Sequence, residues 1–134
     1  AAKEASLMGY KSIAISAEKN SRVPDPPYRK AVDFLTAHLD ELVSSSVADH
    51  YININVPFAG DVSDYSSATA ECVRVYKREI TTESLGDGRF LCHTKDNGMV
   101  ERNKTDKCDV SLTERGIISV SSVQIAPTCI DIDI

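Results

Sequence analysis

Tyr51-Ile52-Asn53-Ile54-Asn55-Val56-Pro57 alternates apolar and polar side chains until a proline interrupts it. Period two is the mark of a strand, and here Ile52, Ile54 and Val56 fall on one face. Upstream, from Tyr28, the apolar residues Ala31, Val32, Leu35, Leu39, Leu42 and Val43 recur at three-and-four spacing. That spacing predicts a helix with one face buried against a sheet. Asp25 followed by Pro26 and Pro27 suits its start, because proline is tolerated in a first turn. Ser44-Ser45-Ser46 suits its end. Residues 18–27 are polar and hold Pro24, Pro26 and Pro27, which exclude regular structure. Before them, Ser12-Ile13-Ala14-Ile15-Ser16 is a short apolar run of the buried-strand type. Strand, helix and strand of these lengths make a βαβ crossover, so the two strands are expected to be parallel. Residues 1–8 favour a helix, which Gly9 stops.

Downstream of Pro57 the pattern changes. Residues 58–70 read as a polar connection. Val73 and Val75 mark a strand to about Ile80, and a second strand runs from Arg89 to Thr94. Gly86-Asp87-Gly88 supplies turn chemistry between them. So polar a hairpin is marginal alone and wants a partner surface. Residues 95–108 read as a charged loop, and Asp109 as the cap of a short helix that stops at Gly116. A last strand spans residues 117–125, ended by Pro127. The tail, 129–134, alternates apolar and acidic residues. The fold class is therefore α/β: part of a Rossmann-like, three-layer parallel sheet with a βαβ unit, then an extended β-hairpin and a C-terminal strand. The division expected is 1–57 for the sheet domain and 58–134 for the hairpin, assembly region and tail.

Composition excludes several classes. The net charge of −5 argues against sequence-independent nucleic-acid binding, and the densest basic stretch, Arg74, Lys77 and Arg78, has Glu71 and Glu79 beside it. No apolar run approaches the roughly 20 residues that span a bilayer, and no signal-peptide pattern is visible. Cys72, Cys92, Cys108 and Cys129 form no C-x-x-C and lack zinc-ligand spacing. They read as reduced thiols of a cytoplasmic protein.

The search for a reaction centre within these residues finds none. The adjacent acids Asp40-Glu41 sit on the exposed side of the helix, and the tail acids Asp131 and Asp133 suit a solvated strand end better than a cation. His38, His50 and His93 are far apart, with His38 read as a partly buried, satisfied side chain. No G-x-S-x-G elbow or G-x-G-x-x-G loop is present. One positional argument remains. In an open parallel sheet, ligands bind beyond the carboxyl ends of the strands, and those ends are residues 16–20 and 55–58. Either Ser16 and Asn55 line a substrate cleft, or they make ordinary strand-end hydrogen bonds.

Three segments in chain order resemble the SurE-type survival proteins, metal-dependent phosphatases of nucleoside monophosphates. Ala1-Ala2-Lys3-Glu4-Ala5-Ser6-Leu7-Met8-Gly9 with Ser12-Ile13-Ala14-Ile15-Ser16 looks like the helix and strand that follow the family's Ser-Gly-Thr motif. Asn53-Ile54-Asn55-Val56-Pro57 is similar to its Asn-Val-Asn-Val-Pro. Thr105-Asp106, then Glu114-Arg115-Gly116-Ile117-Ile118-Ser119-Val120, resembles its closing Thr-Asp and Arg-Glu-Gly-Tyr-Ile-Ser-Val segment. Gly88-Arg89-Phe90 sits where the family carries the second arm of its extended hairpin. The chain departs from the pattern in the order of Glu114 and Arg115, in Ile117 for an aromatic, and in Ser121-Ser122 for Thr-Pro.

The resemblance implies a parent phosphohydrolase, a 5'/3'-nucleotidase or acid phosphatase using Mg or Mn. The family's metal ligands, an Asp-Asp pair with a Ser and an Asn, would lie before Ala1, as would its Ser-Gly-Thr. No catalytic or metal-binding residue is therefore assigned within this chain. The resemblance also implies a homodimer or homotetramer in which hairpin and tail exchange between subunits. Two rivals differ in kind. One is a non-catalytic oligomerisation module or truncated inactive relative, and the other an unrelated α/β binding domain whose sheet is complete without an upstream half.

Overall fold

The computed structural model describes residues 1–19, 27–70 and 72–125. They fall into two compact units, residues 1–70 with 105 onward, and residues 71–104. The sequence places its boundary at residue 57, whereas compactness keeps the connection after Pro57 and the segment from Thr105 with the sheet.

The first unit is built on a four-stranded sheet. Helix α1 (Ala2–Leu7) leads into β1 (Ile13–Ala17), α2 (Tyr28–Ser45) crosses over, and β2 (His50–Val56) lies parallel to β1, Ile13 opposite Ile52 and Ile15 opposite Ile54. The expected βαβ unit is present. Gly9, at φ +82°, ends α1 in the left-handed conformation that glycine accepts without strain. A short strand, β3 (Tyr65–Ser67), follows in the segment that the sequence reads as a plain connection.

The last helix and strand complete this unit. Helix α3 spans Asp109–Glu114, and Cys108 rather than Asp109 is its capping position, Asp109 standing inside the first turn with its carboxylate accepting from the Val110 N–H at 2.8 Å. The strand after it, β6 (Ile118–Gln124), enters the sheet between β2 and β3 and gives the order β1-β2-β6-β3. It runs antiparallel to β2, Ile54 opposite Val120, and parallel to β3. The sheet is mixed, as β6 returns in the opposite sense to β2.

Packing separates the two faces. Ile52, Ile54, Val56 and Ile118 are buried with Ala31, Phe34 and Leu42 of α2, each large apolar side chain contributing about 1.5–3 kcal/mol. Here the predicted helix face needs correction. Phe34, absent from the predicted stripe, is the most buried residue of α2, while Val32, Leu39 and Val43 are exposed. The helix is apolar over a wider arc than this sheet covers. On the other face, Ser119 and Ser121 of β6 are buried, and α3 contacts both β6 and β2.

The second unit is a two-stranded antiparallel hairpin, β4 (Val73–Gly86) and β5 (Arg89–Arg102). Its arms extend well past the expected ends at Ile80 and Thr94, and residues 95–102, expected as loop, are strand. Asp87 and Gly88 form the turn at φ 54° and 72°, the two positive values of a type I′ hairpin connection. Apolar periodicity missed residues 95–102 because cross-strand polar pairs hold them: Arg74 Nε to Glu101 at 2.9 Å and Arg78 Nε to Asp96 at 3.0 Å. A register shift lies between Tyr76 and Arg78. Asp25, Pro26 and the tail acids Asp131 and Asp133 lie outside the described residues.

Candidate functional site

Parallel pairing sets Ser16 directly opposite Asn55, near the carboxyl ends of β1 and β2. Both side chains project from the face away from α2. The Ser16 hydroxyl donates to Asn55 Oδ1 at 2.8 Å, and Asn55 Nδ2 donates to the Ser119 hydroxyl at 3.3 Å. Ser119 stands opposite Asn55 on β6, and Ser66 opposite Ser119 on β3. Four short polar residues thus form one row across four strands. It runs from a fully buried hydroxyl, Ser119, through half-buried Asn55 to exposed Ser16. Two residues along the same pair of strands, the Ser121 hydroxyl donates to the Asn53 carbonyl at 3.4 Å.

Beyond the strand ends, residues 57–64 are tied down from several directions. The Phe58 N–H donates to Glu18 Oε2 at 2.9 Å, bridging the ends of β1 and β2. Lys30, in the first turn of α2, donates to the carbonyls of Ala59 at 2.6 Å and Gly60 at 3.3 Å. Gly60 (φ +77°) lies so close to Gly116 that a Cβ there would overlap the Gly116 carbonyl. Asp61 and Asp64 turn their carboxylates onto backbone N–H groups within the loop. Burial lowers the Lys30 ammonium below the ordinary lysine range, and the carboxylates of Asp61, Asp64 and Glu18 oppose that shift.

Among the described residues, this end of the sheet gathers hydrogen-bonding side chains but no cluster of metal-ligating ones. Among the described residues no group of three His, Cys, Asp or Glu side chains could hold a metal ion. Glu18, Asp61 and Asp64 each commit one carboxylate oxygen to a backbone N–H, and their charges act on the Lys30 ammonium. His38 and His50 do not converge. His38 lies on the α2 side, ring centroid 4.7 Å from both Phe34 and Tyr65, with Glu41 at 3.3 Å. It is the partly buried, satisfied histidine read from the sequence, beside a cavity of about 180 Å³. His50 bonds the Ala48 carbonyl at the opposite end of β2.

The structure therefore brings together Ser16 and Asn55, the two residues the sequence singled out. It adds Ser119, Lys30 and Glu18, which the sequence reading passed over. Ser119 had no local signal, because its place depends on which strand β6 joins. Glu18 and Lys30 were legible only as polar residues flanking a strand end and a helix start.

The comparisons with known proteins agree with this architecture. A family model described as survival protein SurE matches residues 1–82, more than half of the chain. Among solved structures, a SurE protein from Aquifex aeolicus aligns at a TM-score of 0.59 and 16% identity, over 95% of this chain and 50% of that one. The chain thus spans about half the length of that structure, and at such identity the likeness is one of fold. No curated protein sequence matches the chain.

Proposed function

The chain belongs to the survival protein SurE family, a family of phosphatases, and on that premise we propose that it is the carboxy-terminal part of a phosphohydrolase acting on nucleoside monophosphates. The observation that carries this reading is the β1 edge of the sheet, which has no further strand beside it among the described residues. β1 is an edge strand, and Ile15 on it is 38% exposed. Phe34 and His38 of α2 meet Tyr65 at the β3 edge, so helical geometry turns the opposite flank toward the β1 side. That flank carries Val32, Leu39 and Val43 at 58%, 45% and 38% exposure. A strand edge with an apolar helix flank above it is what one half of a larger sheet presents to the other, since soluble proteins rarely leave such edges bare.

In this reading an upstream segment adds strands to β1 and brings the carboxylates for a divalent cation, Mg or Mn. When bound, such an ion neutralises charge on a phosphate ester and lowers the pKa of bound water. The residues of this chain form one wall of the cleft: Ser16 and Asn55 at the strand ends, and the Lys30-braced loop beyond them. Activity decides it. With Mn or Mg and adenosine monophosphate, the 134-residue chain is expected to be inactive, and a longer product of the same gene to release phosphate. Turnover by the short chain, or none by the longer one, refutes the proposal.

A second reading, that the chain serves assembly, draws on the hairpin. Two fourteen-residue arms expose nearly every side chain, including Val75, Tyr76, Ile80 and Phe90, and an isolated two-stranded ribbon is marginal in water. We propose that hairpin and tail pair with those of another copy in a homodimer or homotetramer. Light scattering should give at least twice the monomer mass, and a folded monomer at high concentration counts against it.

A further inference from the structure

His38, Glu41 and Leu42 follow Phe34 by four, seven and eight residues, so helical geometry stacks all four on one face of α2. Tyr65 arrives from β3 and Val120 from β6, neighbouring strands of the same sheet. Together these residues line a cavity of about 180 Å³. Val120 stands opposite Ile54, a core residue under α2, whereas Ser119 before it stands opposite Asn55. Successive strand residues point to opposite faces, so the cavity and the polar row lie on different sides of the sheet.

The lining is apolar within and charged at the rim. Phe34 and Leu42 are buried and Val120 is half-buried. Three rings cluster beside them, with centroids 4.7 Å apart for Phe34 and His38, 4.7 Å for His38 and Tyr65, and 5.4 Å for Phe34 and Tyr65. Glu41 keeps its side chain 75% exposed, with Oε2 at 3.3 Å from His38 Nδ1. It is the one carboxylate of the lining, to which no lysine or arginine contributes. An apolar cavity of about 150 Å³ is enough to admit benzene, so this one has room for a single ring. We propose that the cavity binds a small organic cation, an aromatic ring carrying an amine on a short arm. The ring enters beside Phe34, Leu42 and Val120, and the ammonium meets the Glu41 carboxylate at the rim, within reach of the Tyr65 ring. An anion of the same size would face Glu41 with no lysine or arginine to receive it. This site is separate from the proposed phosphohydrolase cleft and stands whether or not that reading holds.

The test is an NMR titration of the 134-residue chain with three probes of similar size, benzylamine, benzyl alcohol and benzoate. Benzylamine is expected to shift the Phe34, His38, Tyr65 and Val120 signals with a Kd of about 1 mM, an affinity that a ligand of about eight non-hydrogen atoms supports. Benzyl alcohol should bind about 3- to 10-fold more weakly, lacking the charge, and benzoate should leave the signals unmoved. Glu41→Gln, at an exposed helix position, should remove most of the preference for benzylamine. Benzyl alcohol should bind this variant as it binds the unsubstituted chain, which also reports that the variant is folded. Benzyl alcohol or benzoate binding as tightly as benzylamine, or a Glu41→Gln variant as selective as the unsubstituted chain, refutes the recognition of charge. No shift from any of the three refutes the cavity as a ligand site. None of these outcomes depends on what the turnover assay finds for the longer product.

Discussion

Replacing Gly60 with alanine separates two contributions that usually arrive together. Gly60 sits at φ +77°, which taxes any side chain by about 1–2 kcal/mol. Its Cβ would also land on the Gly116 peptide group, 2.9 Å from the carbonyl carbon and 3.3 Å from Cα. Both partners are backbone, so relief requires moving the loop or the α3–β6 turn, and forced displacements of this kind cost about 1–3 kcal/mol. Gly60→Ala should therefore lose roughly 2–5 kcal/mol. Gly9→Ala supplies the reference, because Gly9 has a similar φ of +82° and no atom within 4 Å of the added Cβ. It should lose only about 1 kcal/mol, partly offset by the stiffer unfolded chain. Gly116→Ala, at φ +80° with Gly60 N at 3.2 Å, belongs between them. Urea unfolding followed by circular dichroism resolves the series: at a slope of about 1.5 kcal/mol/M, Gly60→Ala lowers the midpoint by more than about 1 M. Equal shifts for Gly60→Ala and Gly9→Ala would refute the close approach that anchors residues 57–64.

The two flanks of α2 can be told apart in the same assay. Phe34→Ala should destabilise by about 3–5 kcal/mol, as the helix's most buried side chain, whereas Leu39→Gln should stay within about 0.5 kcal/mol, and a loss above about 2 kcal/mol from Leu39→Gln would reverse the assignment of flanks. In the hairpin, the hydrogen bond from Lys104 is the leading reason that the Glu101 carboxyl is held below the ordinary glutamate value of 4.5, followed by the bond from Arg74. A depressed folded-state pKa stabilises above the unfolded value and is lost as pH falls through the folded one, so amide protection near Glu101 should decline only below about pH 4.5. A carboxyl NMR titration checks this directly, with Lys104→Met expected to move the midpoint upward and no movement counting against the pairing.

Much of the first unit was legible because its signals are local. The alternation from Tyr51 to Val56, the three-and-four spacing of α2 and the punctuation by Gly9 and Pro57 each need only a few consecutive residues. The helix face was drawn off-centre for an equally physical reason. Val32, Leu39 and Val43 are as apolar as Ala31 and Leu42, and a sequence cannot say which part of a wide apolar arc a sheet will cover. The hairpin arms were cut short because charge pairs such as Arg78 with Asp96 hold them, and such pairs emerge only once two strands are in register.

The candidate site divides along the same line. By itself the sequence determined that two short strands joined by a helix would lie parallel, which places Ser16 and Asn55 near the carboxyl ends of adjacent strands. That follows from chain connectivity and periodicity, both of which act over short distances. Tertiary structure alone decided that β6 inserts beside β2 in the opposite sense, that Ser119 arrives sixty-four residues away to grip the Asn55 amide, and that Lys30 and Gly116 clamp the loop beyond. Those contacts come from strand pairing and backbone packing between distant segments, which hydrophobic pattern constrains only as to face and never as to partner.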